Sequence, residues 1–306
     1  MSAPLLLDRP LAPLRGLHDV VRHRAAMALQ GRVAGAEALE RADRIWGTPG
    51  ERWFTPDDPI WRVHIDAAMF VGGLRALLLQ SLHPLALAGV TDHSGYRGDP
   101  WGRLQRTSGF ISTTTFGTVA DAERLLARIR GIHRRVHGTT ADGRAYRADD
   151  PHLLAWVHAA EAESFLVTHQ HFGRRRLSDA DADTYVAQIG SVAARLGVPD
   201  PPRTVAELRE VLASYDDELD GSPLARDTAR FVMLEPPMPL AARPGYGLLV
   251  SGAVATLSPA ARRMLGIPLP PGARTALQVC GLAGAGAVRW MLSDPVVRRA
   301  RSLRTS

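Results

Sequence analysis

The chain carries one cysteine, Cys280, in 306 residues. That excludes an internal disulfide and any cysteine-built metal cluster, so chemistry has to come from His, Asp, Glu, Arg or a bound group. Lysine is absent altogether, and all 37 basic residues are arginines, each a permanently charged fork suited to carboxylate or phosphate. Against 31 acidic residues they leave a formal charge of +6. Aromatic residues make up only 6%, too few for the stacking surfaces that accompany a basic stripe in nucleic-acid binders. Nucleic acid is therefore not expected as a partner. Long apolar runs are missing too. Residues 1–30 are broken by Asp8, Arg9, Arg15, His18, Asp19, Arg22 and Arg24, which leaves no core for a secretion signal. The uncharged stretch 244–261 contains Pro, Gly, Ser and Thr and falls short of about 20 apolar residues. A cytoplasmic protein without stable membrane insertion is expected.

What the chain does have is recurring helical punctuation. Ser178 with Asp181 resembles a capping box with Asp in place of Glu. Ala182, Tyr185, Val186, Ile189, Val192, Ala193 and Leu196 then follow at helical spacing until Gly197 and Pro199. Thr204 with Glu207 repeats the signal toward Gly221, and Ser258 with Pro259 opens a short helix that Gly266 ends. Asp150 with Pro151 opens another, running to about residue 171. A helix is predicted over 121–137, with Leu125, Ile129, Ile132 and Val136 on its apolar side and Gly138 as its stop. Residues 60–82 are apolar on nearly all sides, the pattern of a fully buried helix. Only 110–118, with Thr113, Thr114 and Thr115 in a row, reads as extended. The expectation is an all-α fold in a single helical domain. Its main body spans 56–295, preceded by a helical extension over 1–55 and followed by a basic tail over 296–306.

Eleven histidines are the informative inventory, and His133, His137, His152, His158, His169 and His171 crowd into one stretch. In the helix predicted to end at Gly138, Arg130, His133 and His137 stand at i, i+3 and i+7, on one face beside the apolar stripe. A histidine so placed either reaches a bound cofactor or hydrogen-bonds a backbone carbonyl, and spacing leaves both open. His158 with Glu161 suggests a carboxylate-bridged di-iron bundle. That site needs paired Glu-x-x-His motifs with Glu before His, whereas the order here is reversed and occurs once. No Gly-x-Ser-x-Gly elbow, phosphate loop or dinucleotide fingerprint is present, so hydrolase and nucleotide chemistry lack support.

A second constellation follows residues 60–82. His83 and Pro84 close the apolar stretch, because proline restricts the residue before it. Gly89, Val90, Thr91, Asp92, His93 and Ser94 read as a polar loop at the mouth of the core. After Asp99, Pro100, Trp101 and Gly102, the side chains of Arg103, Arg106 and Thr107 form a donor cluster at i, i+3 and i+4 if the piece is helical. Solvated arginines on an ordinary first turn fit the same spacing.

In order and spacing these runs, with residues 78–84, 129–138 and 143–158, resemble the haem family of rubber oxygenases (latex clearing proteins) and MpaB-like oxygenases. The resemblance covers about residues 60–265. It implies an all-α fold with a globin-like core around a b-type haem, and makes the 56–295 body a catalytic domain. By the same resemblance His133, in Arg-x-x-His, is the proximal iron ligand and the metal residue. Arg130, Arg103, Arg106 and His137 become cofactor-binding residues, while Arg103, Thr107, His83, Asp92 and His93 form the catalytic side. A neutral imidazole on a rigid helix is physically suited to iron.

The chain departs from the family pattern in two places. Some rubber-cleaving members carry a lysine able to cap the sixth iron position, where this chain has Arg106, whose guanidinium does not deprotonate to coordinate. Those members also use a glutamate near the haem as a base, and no Glu lies between Glu51 and Glu123. His83, Asp92 or His93 are the candidates to stand in, with a cap or turn role for Asp92 an equal alternative. The missing glutamate points away from polyisoprene cleavage. The expected function is a haem b-dependent oxidoreductase, an oxygenase that uses O2 or a peroxide on an apolar, prenyl or aromatic small molecule. A haem-binding carrier or sensor without turnover is the rival, and a homodimer is left open.

Overall fold

A computed structural model describes residues 12–35, 38–93 and 97–299. Helices α1 (Ala12–Ala34) and α2 (Ala38–Gly47) precede α3 (Pro59–Ile65), α4 (Ala68–Gln80), α5 (Pro84–His93), α6 (Pro100–Phe116) and α7 (Val119–His133). A small antiparallel hairpin follows, β1 (His137–Thr139) and β2 (Ala145–Arg147), with Gly138 opposite Tyr146. Then come α8 (Pro151–Phe172), α9 (Asp179–Leu196), α10 (Val205–Ala213) and a 3-10 turn at Asp216–Glu218. The chain continues through α11 (Pro223–Leu234), α12 (Arg243–Thr256), α13 (Pro259–Met264), α14 (Ala273–Leu292) and α15 (Pro295–Arg299). The fold is thus mostly helical, as the punctuation implied. The first part of the 1–55 extension, the end of the basic tail and Ser94 lie outside the described residues.

Capping residues start the helices where the sequence places them. Asp99, Thr118, Asp150, Ser178, Thr204, Ser222 and Ser258 each accept a hydrogen bond from a backbone N–H in the first turn, which satisfies a donor the helix itself leaves orphaned. The predicted boundaries of α9 and the start of α8 hold for this reason.

Elsewhere the structure corrects the expectations. Residues 60–82 form two helices, α3 and α4, bent by 89°. Asp66 makes the corner: its Oδ1 accepts from Ala68 N at 2.8 Å and from Arg289 Nη2 at 2.8 Å, and its Oδ2 from Arg174 N at 3.3 Å. Residues 89–93, expected within a polar loop, belong to α5, which starts at Pro84, where a missing N–H costs nothing. The stretch read as extended lies within α6 up to Phe116. Its hydroxyls bond back to the preceding turn, Thr114 Oγ1 to Phe110 O at 2.9 Å and Ser112 Oγ to Ser108 O at 2.6 Å, so the β-branched run is accommodated in a helix. The helix predicted over 121–137 ends at His133, and His137 belongs to β1. The run toward Gly221 stops at Ala213.

Two apolar clusters meet along α8. One brings Trp46, Trp61, Phe116, Phe165 and Tyr185 together, with Trp46 stacked on Phe116 at 4.7 Å and Trp61 edge-on to Phe116 at 4.9 Å. The other joins Val71, Leu78, Trp156, Phe172 and Leu257. Among the described residues no single helix is long and apolar enough to cross a membrane. The bent pair α3 and α4 passes by length and composition only, and α4 is packed between α8 and α12.

Helices α12 and α14, whose many glycines hide any helical signal in the sequence, cross where Gly252 meets Gly281. A Cβ on Gly281 would stand 2.6 Å from Gly252 Cα and 2.9 Å from the Phe172 ring. Gly281→Val should therefore lower stability by about 1–3 kcal/mol or more. Gly286→Ala, on the same helix with nothing within 4 Å of its added Cβ, should gain roughly 0.5–1 kcal/mol. Urea denaturation of the two variants checks both signs.

Candidate functional site

Helices α6 and α7 are joined by Gly117 and Thr118 alone and pack on each other. A Cβ on Gly117 would meet Thr113 O at 2.6 Å, so only glycine allows so tight a return. The motif residues stand at the ends of this pair away from the connection. Arg103, Arg106 and Thr107 lie near the start of α6, and Arg130 and His133 in the last turn of α7. Burial falls off toward those ends. The buried residues of α6 are Thr114, Thr115 and Phe116, and those of α7 are Ala122 and Leu126, whereas Leu104 and Ile132 are 37% and 40% exposed.

His133 is half-buried, and its Nδ1 is enclosed with no hydrogen-bond partner. Desolvation lowers its pKa, opposed by the charge of Asp149, so the ring is neutral at physiological pH. A neutral imidazole with an uncommitted buried nitrogen is a competent metal donor. The ring lines a pocket of about 160 Å³ with Arg130, Arg134, Asp149, Leu154, Leu196 and Gly197. Arg130 Nη1 donates to Arg195 O at 2.5 Å. Arg147 forks onto Asp149, Nε to Oδ1 at 3.0 Å and Nη2 to Oδ2 at 2.9 Å, and holds that carboxyl below its usual range. Cofactor pockets run roughly 300–1,000 Å³, so this pocket alone houses only part of a large group.

The remaining predicted residues do not line that pocket. Arg103 is half-buried, Thr107 is exposed, and Arg106 is exposed and paired with Asp99 at 3.3 Å. His137, being on β1 and exposed, does not share the Arg130–His133 helix face. Asp92 and His93 hold the hairpin through Tyr146: its OH donates to Asp92 Oδ2 at 2.6 Å, and His93 Nε2 is 3.1 Å from the Tyr146 hydroxyl. Burial and the Asp92 bond push the Tyr146 phenol up to about 12. His83 is buried and turned toward Glu218, with Nε2 3.3 Å from Oε2. Asp149 and Glu218 were not singled out from sequence. Asp149 shows there only as one of two adjacent aspartates before Pro151, and Glu218 comes from a distant segment with no motif of its own.

Midway along α8 stands a further pair one turn apart, the buried His158 and the half-buried Glu161. Burial lowers the His158 pKa to about 4 and leaves Nε2 without a partner. Among the described residues these two belong to no converging group of metal-ligating side chains; that description fits His83, His152 and Glu218.

Residues 61–290 match the family model described as ER-bound oxygenase mpaB/B'/Rubber oxygenase, catalytic domain. No curated protein and no solved structure matches the chain.

Burial raises the Glu161 carboxyl to about 7 from its ordinary value of 4.5. Between those two values the unfolded chain ionises while the folded one keeps its proton, so stability falls as pH rises through that window. Glu161→Gln should remove the penalty, gaining up to about 3 kcal/mol at pH 8 and almost nothing at pH 4. Denaturant titrations of both proteins at the two pH values measure it.

Proposed function

The chain belongs to the family of mpaB and rubber oxygenase catalytic domains, and from that premise we propose that it is a haem b-dependent oxygenase with His133 as the proximal iron ligand. Its substrate class is an apolar, prenyl or aromatic small molecule, and its oxidant O2 or a peroxide. The observation that carries the reading is the enclosed, unpartnered Nδ1 of His133 on a neutral ring, beside Arg130 and at the least buried end of α7. This donor set fits haem, although the adjoining pocket is smaller than the group. At the ends of α6 and α7, Leu104 and Ile132 are uncovered and offer it apolar surface.

Haem, when bound, supplies the one-electron chemistry of iron toward the oxidant. The chain's own residues bind and orient. His133 provides a fixed imidazole, and its charge state is set by burial more than by Asp149. Arg103 and Arg130 offer forked donors to propionates, each charge-assisted bond contributing roughly 1.5–3 kcal/mol. Thr107 is exposed and would meet an incoming substrate. A globin-like core around the cofactor completes the proposal.

One observation favours the rival reading, a haem carrier or sensor. The residues able to replace the missing glutamate are already engaged, Asp92 and His93 by Tyr146 and His83 by Glu218. Oxygen consumption with a reductant and a panel of terpenoid and aromatic substrates separates the two, turnover supporting the oxygenase and tight haem without turnover the carrier.

Protein expressed with haem precursor should show a Soret band, and its absence overturns both readings. His133→Ala should lose stable haem, whereas His137→Ala should retain it. Arg103→Ala and Arg130→Ala should weaken haem retention by about tenfold to a hundredfold, with lysine at either position recovering only part of it. Arg174→Ala, at an exposed position, is the control and should change nothing. Transfer of haem to apomyoglobin, followed by absorbance, reads all the variants.

A further inference from the structure

Outside the His133 pocket, three side chains from separate segments converge. His83 stands between α4 and α5, His152 lies in the first turn of α8, and Glu218 closes the 3-10 turn after α10. The Glu218 carboxylate spans both rings, with Oε2 3.3 Å from His83 Nε2 and Oε1 2.8 Å from His152 Nε2. One ligand atom from each residue lies within 4.8 Å of the other two. Donors about 2.0–2.2 Å from a tetrahedral cation stand roughly 3.3–3.5 Å apart, so a side-chain adjustment of about an ångström closes the set.

The segments that present these donors are pinned by other bonds. Asp220 N donates to Leu82 O at 2.8 Å, beside His83, and Tyr215 OH donates to His152 O at 2.7 Å. The ligands are thus held in place without relying on one another, which is what preorganisation of a metal site requires. His83 is 1% exposed and leaves Nδ1 enclosed without a partner. A buried orphan of that kind is costly, and it leaves Nε2 as the ring nitrogen of His83 that meets a partner, the Glu218 carboxylate. His152 and Glu218 keep 53% and 40% of their side-chain surface exposed, so a cation has a path in and a coordination position open to water.

We propose that His83, His152 and Glu218 bind one divalent first-row transition cation, a two-histidine, one-glutamate set with a solvent position, as in zinc sites that keep an open ligand. The site is separate from the His133 pocket and does not depend on haem. Binding would staple the turn after α10 to the start of α8 and the end of α4, and so stabilise the fold by linkage.

The test is calorimetric titration of chelator-stripped full-length protein with zinc chloride, paired with thermal melts. One zinc per chain and a higher Tm are expected. His152→Ala and Glu218→Gln change partly exposed positions, and their far-UV circular dichroism should stay native. Each should weaken zinc binding at least about tenfold and abolish the Tm rise. His171→Ala, an exposed histidine outside the cluster, should bind as the parent does. No zinc uptake by the parent, or uptake and a Tm rise unchanged in His152→Ala and Glu218→Gln, overturns the proposal.

Discussion

A guanidinium taken out of water must have its donors met within the protein or it costs several kcal/mol. Arg75 of α4 is 3% exposed and finds its acceptors on two other helices. Nε donates to Thr256 O at 3.3 Å, Nη1 to Ser164 Oγ at 2.7 Å and to the Glu163 carboxylate, and Nη2 to Glu163 Oε1 at 2.8 Å. The planar fork accepts few arrangements of partners, and an ammonium at the same place would serve fewer of them. The relation of α4 to α8 and to the end of α12 is therefore fixed by direction as well as by packing. Gly72 reinforces it, since a Cβ there would meet Phe165 and Thr168 at 2.7 Å.

With α8 held this way, its first turn becomes the point on which both candidate centres depend. Leu154 lines the pocket beside His133, while His152, two residues earlier, turns to His83 and Glu218. Asp150 caps the helix between these roles, accepting from His152 N at 2.9 Å. A shift of this turn would change the surroundings of His133 and the spacing of the His83 cluster together.

How much of this could be read in advance depended on whether the signal was local. Caps are local: Ser178, Thr204, Ser258 and Asp150 are side chains bonding to a backbone a few residues away, and they mark helix starts at the right places. The corner at Asp66 is not local, because Arg289 and the backbone of Arg174 are two of the partners that make it. The threonine run misleads because β-branching favours strands on average, while in α6 the hydroxyl satisfies itself against the preceding turn. Arg130 and His133 are singled out in the sequence by helical spacing and by a likeness to a family in the order of several short runs. The turn face expected to carry His137 was lost when the chain left the helix at His133. Glu218 could not be foreseen, since its meeting with His83 is made by the tertiary fold across 135 positions.

The crossing of α12 and α14 works differently from the other packed faces, because it is a meeting of two backbones. Where side chains interlock, a helix can turn slightly about its axis and repack. Where Cα faces Cα, any turn brings a larger group into a gap that accepts none, so the rotational setting of α14 is locked from inside. That setting also decides what the opposite side of the helix shows to solvent, and it holds Val279 and Leu282, 60% and 51% exposed, in a fixed outward direction. The pattern of one part of the molecular surface is in this way written by two residues that have no side chains.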